Sequence, residues 1–347
     1  MNLKNDRKGF GRTAFLLLTA FVIFVLLIYA ISLISPRIAV LTENFVALPI
    51  RRIVAILSLS SFVPLPLTEL MLLTLPIALP LLLCSMSKMD RRRAALMPVI
   101  IIEILSILYS ATIAIPTLSR AKMSHGVIDI AENDYISASA AIAADLRAFD
   151  LSDEYSFSKI CDTAIDAVVK YAEKCGMPRV SSAVKPSLIS EILCGAGILA
   201  YYSFITTEIS VNVYQPKYML AFTVAHEEAH FMGITREDEA NLFAYAALSE
   251  SDDSYLRYSA ALRGFEYLAS SVYGISPAKY SEVYSSLTDN AKADLAESRK
   301  FSEGMSRGFF GKISAAANDA LISVRDSRGK ESYSDTATLI VEYLLCN

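Results

Sequence analysis

"FTVAHEEAHFMGITREDEANLFAYA", residues 222–246, holds two of the three histidines in this chain of 347 residues. His226 and His230 stand four apart, with Glu227 directly after the first. An α-helix turns about 100° per residue, so both imidazoles leave the same face. Glu227 is rotated about 100° from His226 and about 60° from His230, near that face but not on it. Gly233 ends the helix, since glycine accepts the left-handed conformation there. Thr235 opens a second helix, forming a capping-box-like pair with Asp238. The stretch therefore predicts two helices joined by a short turn, with two imidazoles brought close to a run of carboxylates.

That pattern suits a metal. Two histidines at this spacing hold one zinc ion, and the intervening glutamate serves as general base toward water. Catalytic zinc takes three protein ligands and keeps one position open. A third histidine of the metzincin type would stand at position 236, where this chain has Arg236. The third ligand is therefore expected to be acidic. Glu237 and Glu239 lie about 200° apart on a helix and cannot both face the ion. Asn241 follows Glu237 by one turn on the same face and can support a ligand histidine. This favours Glu237, with Glu239 as the reserve ligand. Glu228 turns away from the site and adds negative charge near it.

Hydropathy divides the chain. Hydrophobic residues make up 54% of it, and the excess lies before residue 117. Residues 14–36 carry no charge and are long enough to cross about 30 Å of hydrocarbon. Residues 66–85 and 95–116 form two further candidate spans, the former kinked by Pro76 and Pro80. Residues 46–63, interrupted by Arg51 and Arg52, read as an interfacial segment. Basic residues cluster before the first span and after the second. By the positive-inside rule this puts the C-terminal part outside the cytoplasm. Glu69 and Glu103 fall within or beside spans, where carboxylates pair or carry function. His125, just after the third span, reads as an interface residue. The sequence thus predicts a membrane domain over 1–117, with about three transmembrane helices, and a zincin-like domain over 118–347. A net charge of −4 with no basic stripe argues against nucleic acid. Five cysteines lack close pairs, which argues against a zinc ribbon.

The C-terminal part reads as a mostly α-helical α+β domain with a small sheet. Helices are expected over 126–149, 156–175, 217–233, 253–272, 277–287, 288–304 and 334–345. In "CGAGILAYYSFITTEISVNVYQP", residues 194–216, Ile205, Thr207, Ile209 and Val211 alternate with Thr206, Glu208, Ser210 and Asn212. This predicts a strand or hairpin. The run "SESDD", 249–253, reads as a solvated turn and cap.

The pair "HEEAH" and "GITREDEAN" resembles the gluzincin metallopeptidases. With "SFVPLPLTEL", "YYSFITTEISVN" and "GKESY", the chain more closely resembles a bacterial membrane family known as domain of unknown function 3810. That resemblance implies a membrane-anchored zinc metallopeptidase-like protein; the spans and basic residues above make the expected location a bacterial membrane, multi-pass, with the C-terminal domain extracytoplasmic. Its expected substrate is a peptide or protein and its cofactor Zn2+. In the expected hydrolysis zinc acidifies water and Glu227 passes the proton to the leaving amine. Tyr201 and Tyr202 are the candidate oxyanion donors. The strand over 203–212 is a candidate for pairing with an extended peptide. The alternative is a non-catalytic, metal-stabilised membrane protein that binds a peptide or an envelope component.

Overall fold

The computed structural model describes residues 41–57, 63–74, 129–149, 155–234, 236–305 and 332–346, with scattered positions between 16 and 38 and at 104–105. The chain divides into two compact units. The first comprises Met1–Val63, Leu67–Ala121 and Ser203–Thr207, the second Pro64–Pro66, Lys122–Tyr202 and Glu208–Asn347.

In the first unit a π-helical turn, Glu43–Ala47, runs into α1, Leu48–Leu57. Residues 67–74 are also helical. Arg51 and Glu69 are both fully buried. The Thr68 hydroxyl meets those of Ser203 and Thr206 at 2.6 and 2.8 Å. These findings correct the expected membrane architecture. Among the described residues no helix is long and apolar enough to cross a membrane. The ten residues of α1 rise only about 15 Å and include Arg51 and Arg52. The described part of 66–85, residues 67–74, is helical and contains buried polar Thr68 and Glu69. Most of 14–36 and 95–116, with Glu103 and His125, lies outside the described residues. The transmembrane part of the expected fold and the multi-pass bacterial membrane location with an extracytoplasmic domain are therefore withdrawn.

The second unit is built on two central helices, α5 (Lys217–Phe231) and α6 (Glu237–Ser249). Before them come α2 (Glu132–Asp145), α3 (Phe157–Lys174) and α4 (Ser190–Ala196). After them come α7 (Ser254–Ile275), α8 (Pro277–Ser285), α9 (Asp289–Met305) and α10 (Ser332–Cys346). Local signals set several ends. The Ser156 hydroxyl accepts from Lys159 N–H, and Asp253 accepts from Tyr255 and Leu256 N–H, capping α3 and α7. Ser276 caps α8, with Pro277 in the first turn.

α5 packs on α3, α6, α7 and the sheet, while α6 packs on α3, α7 and α10 as well. Both are buried nearly all round, so neither shows a polar stripe. Alanines at 221, 225, 229, 240, 244, 246 and 247 are buried in this core and permit close helix approach. Gly264 of α7 serves the same end. A Cβ there would stand 2.6 Å from Cε2 of Tyr245 and 3.3 Å from Cδ1 of Ile142. Gly264→Ala gains about 1 kcal/mol of helix propensity but overpacks at a cost of about 1–3 kcal/mol. The expected result is a lower urea midpoint with unchanged slope.

The sheet has the order β1-β3-β2, from β1 (Ala183–Pro186), β2 (Ala200–Tyr202) and β3 (Glu208–Val211). β1 runs parallel to β3 and β2 antiparallel to it. The expected alternation holds over β3 only. Residues 203–207 form a turn, with Thr207 in the left-handed region at φ 55°. β3 is the central strand, so among the described residues β2 and β1 are the edges. Ile209, Val211 and Tyr202 share the face toward α5, where Tyr202 meets Phe231 ring to ring at 5.8 Å. On the other face Lys185 pairs with Glu208 at 2.8 Å, both buried, and also donates to the Leu65 carbonyl.

Candidate metal centre

The turn between α5 and α6 folds the acidic helix start back onto the two histidines. Gly233, at φ 96°, allows the reversal. Its N–H donates to the His230 carbonyl, and Ile234 N–H to that of Ala229. The same turn aims the Ile234 carbonyl at the His230 ring, whose Nδ1 lies 2.7 Å away. With its proton on Nδ1, His230 presents a bare Nε2 to the opposite side. α6 starts at Glu237, with Arg236 in the N-cap position and no side-chain cap. Thr235 lies outside the described residues. The Asp238 carboxylate accepts from Arg236 and from Glu239 N–H.

Glu237 faces both rings. Its Oε2 lies 3.2 Å from His226 Nε2, and its Oε1 3.6 Å from His230 Nε2. Burial pushes its carboxyl up, but the His230 and His226 rings beside it outweigh this and hold it well below the usual range. The donor atoms of His226, His230 and Glu237 all lie within 4.8 Å of one another. A tetrahedral ion with bonds of about 2.0–2.2 Å spaces its ligand atoms about 3.3–3.6 Å apart. The two histidine–carboxylate spacings match such an ion, and the side chains form a two-histidine, one-carboxylate set.

Glu239 stands outside this cluster. It is buried, and its Oε1 lies 3.4 Å from Arg236 Nε. Asn241 makes no hydrogen bond to either histidine. Its Oδ1 accepts from the Tyr267 hydroxyl at 2.9 Å, and its Nδ2 donates to Thr336 Oγ1 at 3.3 Å. It thus ties α6 to α7 and α10.

Glu227 is nearly buried, and its Oε2 accepts the Tyr202 backbone N–H at 2.8 Å. Strand register explains that donor. Asn212 N–H bonds the Leu199 carbonyl, so alternate residues Ala200 and Tyr202 turn their backbone groups to the open edge. One turn before Glu227, the Thr223 hydroxyl donates to Gln215 Oε1, and Gln215 Nε2 donates to Leu199 O. β2 is thereby fastened to α5 at both ends. Of the expected oxyanion donors, Tyr201 pairs with Ser210 and points to the sheet face away from α5. The Tyr202 hydroxyl is buried on the α5 side. What Tyr202 brings to the site is its backbone N–H, which residue type alone does not announce.

Glu228 points away from the His226, His230 and Glu237 donors and is fully buried. It accepts from Ser182 N–H at 3.1 Å and from Ser182 Oγ at 2.6 Å, anchoring α5 to the chain just before β1. Burial pushes its carboxyl up to about 7 despite these bonds. The folded value exceeds the unfolded one, so the native state holds the proton more tightly. Its stabilising contribution is complete below about pH 4.5 and is lost as pH rises through about 7, up to about 3 kcal/mol. Glu228→Gln is expected to flatten this loss, giving higher urea midpoints than the parent at pH 8 and similar ones at pH 4.

No curated protein and no solved structure matches the chain. A family model does, over residues 11–341, nearly its whole length. The chain that sets two histidines against Glu237 in this way belongs to the family described as protein of unknown function, DUF3810.

Proposed function

We propose that this protein is a zinc-dependent metallopeptidase. His226, His230 and Glu237 hold the ion, and Glu227 acts as general base in peptide-bond hydrolysis. The observation that carries this reading is the meeting of three metal-type donors with a separately held carboxylate on the same helix. Zinc, when bound, supplies a Lewis acid and lowers the pKa of water.

The protein's own residues do the rest. His230 is fixed as the Nε2 donor by the Ile234 carbonyl. Glu227 has one oxygen anchored on Tyr202 N–H, which leaves the other to take a proton and deliver it to the leaving amine. β2, an edge strand among the described residues, runs beside this carboxylate. That favours a peptide substrate bound by strand addition.

The test is metal content and peptide hydrolysis by the purified full chain. About one zinc per chain, with cleavage of a mixed peptide library that a chelator stops, supports the reading. A folded chain without bound metal overturns it. Bound metal with no cleavage leaves a metal-stabilised binding protein instead.

A further inference from the structure

The Glu227 carboxylate is held by β2, so whatever places β2 against α5 also places that carboxylate. β2 is three residues long, and β3 secures one side of it. On α5, Thr223 precedes Glu227 by one turn, about 6 Å of rise. The stretch from Leu199 to Tyr202 reaches up to about 10 Å at a strand's advance per residue. The two rows therefore do not match step for step. Glu227 meets Tyr202 N–H directly, at 2.8 Å, but Thr223 is joined to the Leu199 end through Gln215. The Thr223 hydroxyl donates to Gln215 Oε1 at 2.8 Å. Gln215 Nε2 donates to the Leu199 carbonyl at 3.2 Å and to the Asn212 carbonyl at 2.9 Å. Asn212 N–H bonds that same Leu199 carbonyl, at 2.9 Å. Gln215 and Thr223 are both buried. Pro216 follows Gln215 and disfavours the helical region there, so the side chain leaves the backbone from a restricted point.

We infer that Gln215 is a positioning residue of this site. It carries the hold of α5 onto the Leu199 end of β2 and so keeps Tyr202 N–H aimed at Glu227. The catalytic consequence rests on the metallopeptidase reading given above. An amide supplies two N–H donors and an acceptor oxygen, and all three are used here. Glutamate would set an oxygen against two carbonyls, and asparagine is one methylene shorter. Thr223 and Glu227 lie on one face of α5. With β2 tied to that face at both ends, the strand has little freedom to slide or tilt along the helix. A carboxylate anchored through one oxygen on such a strand keeps its second oxygen in one direction, as a proton acceptor requires. Released at Leu199, β2 pivots on β3, and Tyr202 N–H and Glu227 part more often. Gln215 acts through Tyr202 and not on the metal-type donors themselves.

The test is amide hydrogen exchange of the full chain, followed by NMR at Tyr202 and at Ala225 in the buried part of α5. Gln215→Leu removes the relay. Thr223→Val removes its support on α5 and leaves Gln215 its two carbonyls. Tyr202 is expected to exchange about tenfold or more faster in both variants, with Ala225 unchanged. Thr223→Ser keeps the hydroxyl and should keep the parent rate. Faster exchange in Gln215→Leu alone would show that Gln215 only closes the turn at Asn212, and would overturn the inference. So would unchanged exchange at Tyr202 in both variants, or equal loosening at Ala225. In a parent that cleaves peptide, both variants should turn over about tenfold more slowly at unchanged zinc content, and turnover within about threefold of the parent would overturn the catalytic consequence. A parent that binds no zinc and cleaves nothing removes the metallopeptidase reading. The exchange result then decides by itself whether Gln215 holds Glu227 in place.

Discussion

On the metallopeptidase reading, Glu227→Gln is expected to leave a bound metal in place and to lower peptide turnover by about 10²–10⁴-fold, the usual worth of a positioned general base. The amide has nearly the shape of the carboxylate, and its oxygen can still accept the Tyr202 N–H. Packing around α5 is therefore kept, and the urea midpoint should barely move. What is lost is the basic oxygen that takes the proton. Steady-state kinetics on one cleavable peptide, with zinc analysis of the same preparation, checks this. The loss should fall on kcat, with KM little changed, because Glu227 is not expected to bind the ground-state substrate. Turnover in the variant within threefold of the parent would rule out Glu227 as the base.

The second large effect is on metal retention. Glu237→Ala and His226→Ala are each expected to lower zinc affinity by more than about 100-fold, the upper range for loss of an outer-shell partner. Dialysed protein should then carry well under one ion per chain. Glu239→Ala, by contrast, should retain its zinc, because that carboxylate lies outside the donor cluster and against Arg236. The contrast between Glu237 and Glu239 is the sharper test, since both are acids at the same helix start. Equal zinc loss in all three variants would point to a general disturbance of α6 instead of a ligand set. In the absence of metal Glu237→Ala is expected to cost some stability at neutral pH, because the two rings outweigh burial and favour the charged carboxylate in the fold.

Much of the candidate site was legible because helix periodicity is local. Four residues return a side chain to the same face in any helix, so His226 and His230 had to be neighbours once 217–231 was helical. Gly233 announced the reversal, and Asp253 and Ser276 announced the starts of α7 and α8, by chemistry that acts within a few residues. Glu237 was preferred over Glu239 through Asn241. Glu237 does face the histidines, but Asn241 binds Tyr267 and Thr336 instead of a histidine.

Other features depend on partners far along the chain. The Glu227 anchor comes from Tyr202, and the Glu228 anchor from Ser182, 46 residues away. Such pairs form only when the sheet packs on α5, and no spacing rule encodes them. Hydropathy misled for a related reason. An apolar run records composition, not where helices break or which polar groups find partners, and Thr68 finds Ser203 and Thr206 across 135 and 138 residues. The sequence by itself determined the two-histidine face, the glycine reversal and the acidic helix start, since each rests on backbone geometry over a few residues. Only the tertiary structure decided which carboxylate faces the rings and which backbone N–H holds the base, since each requires elements distant in the chain to pack together.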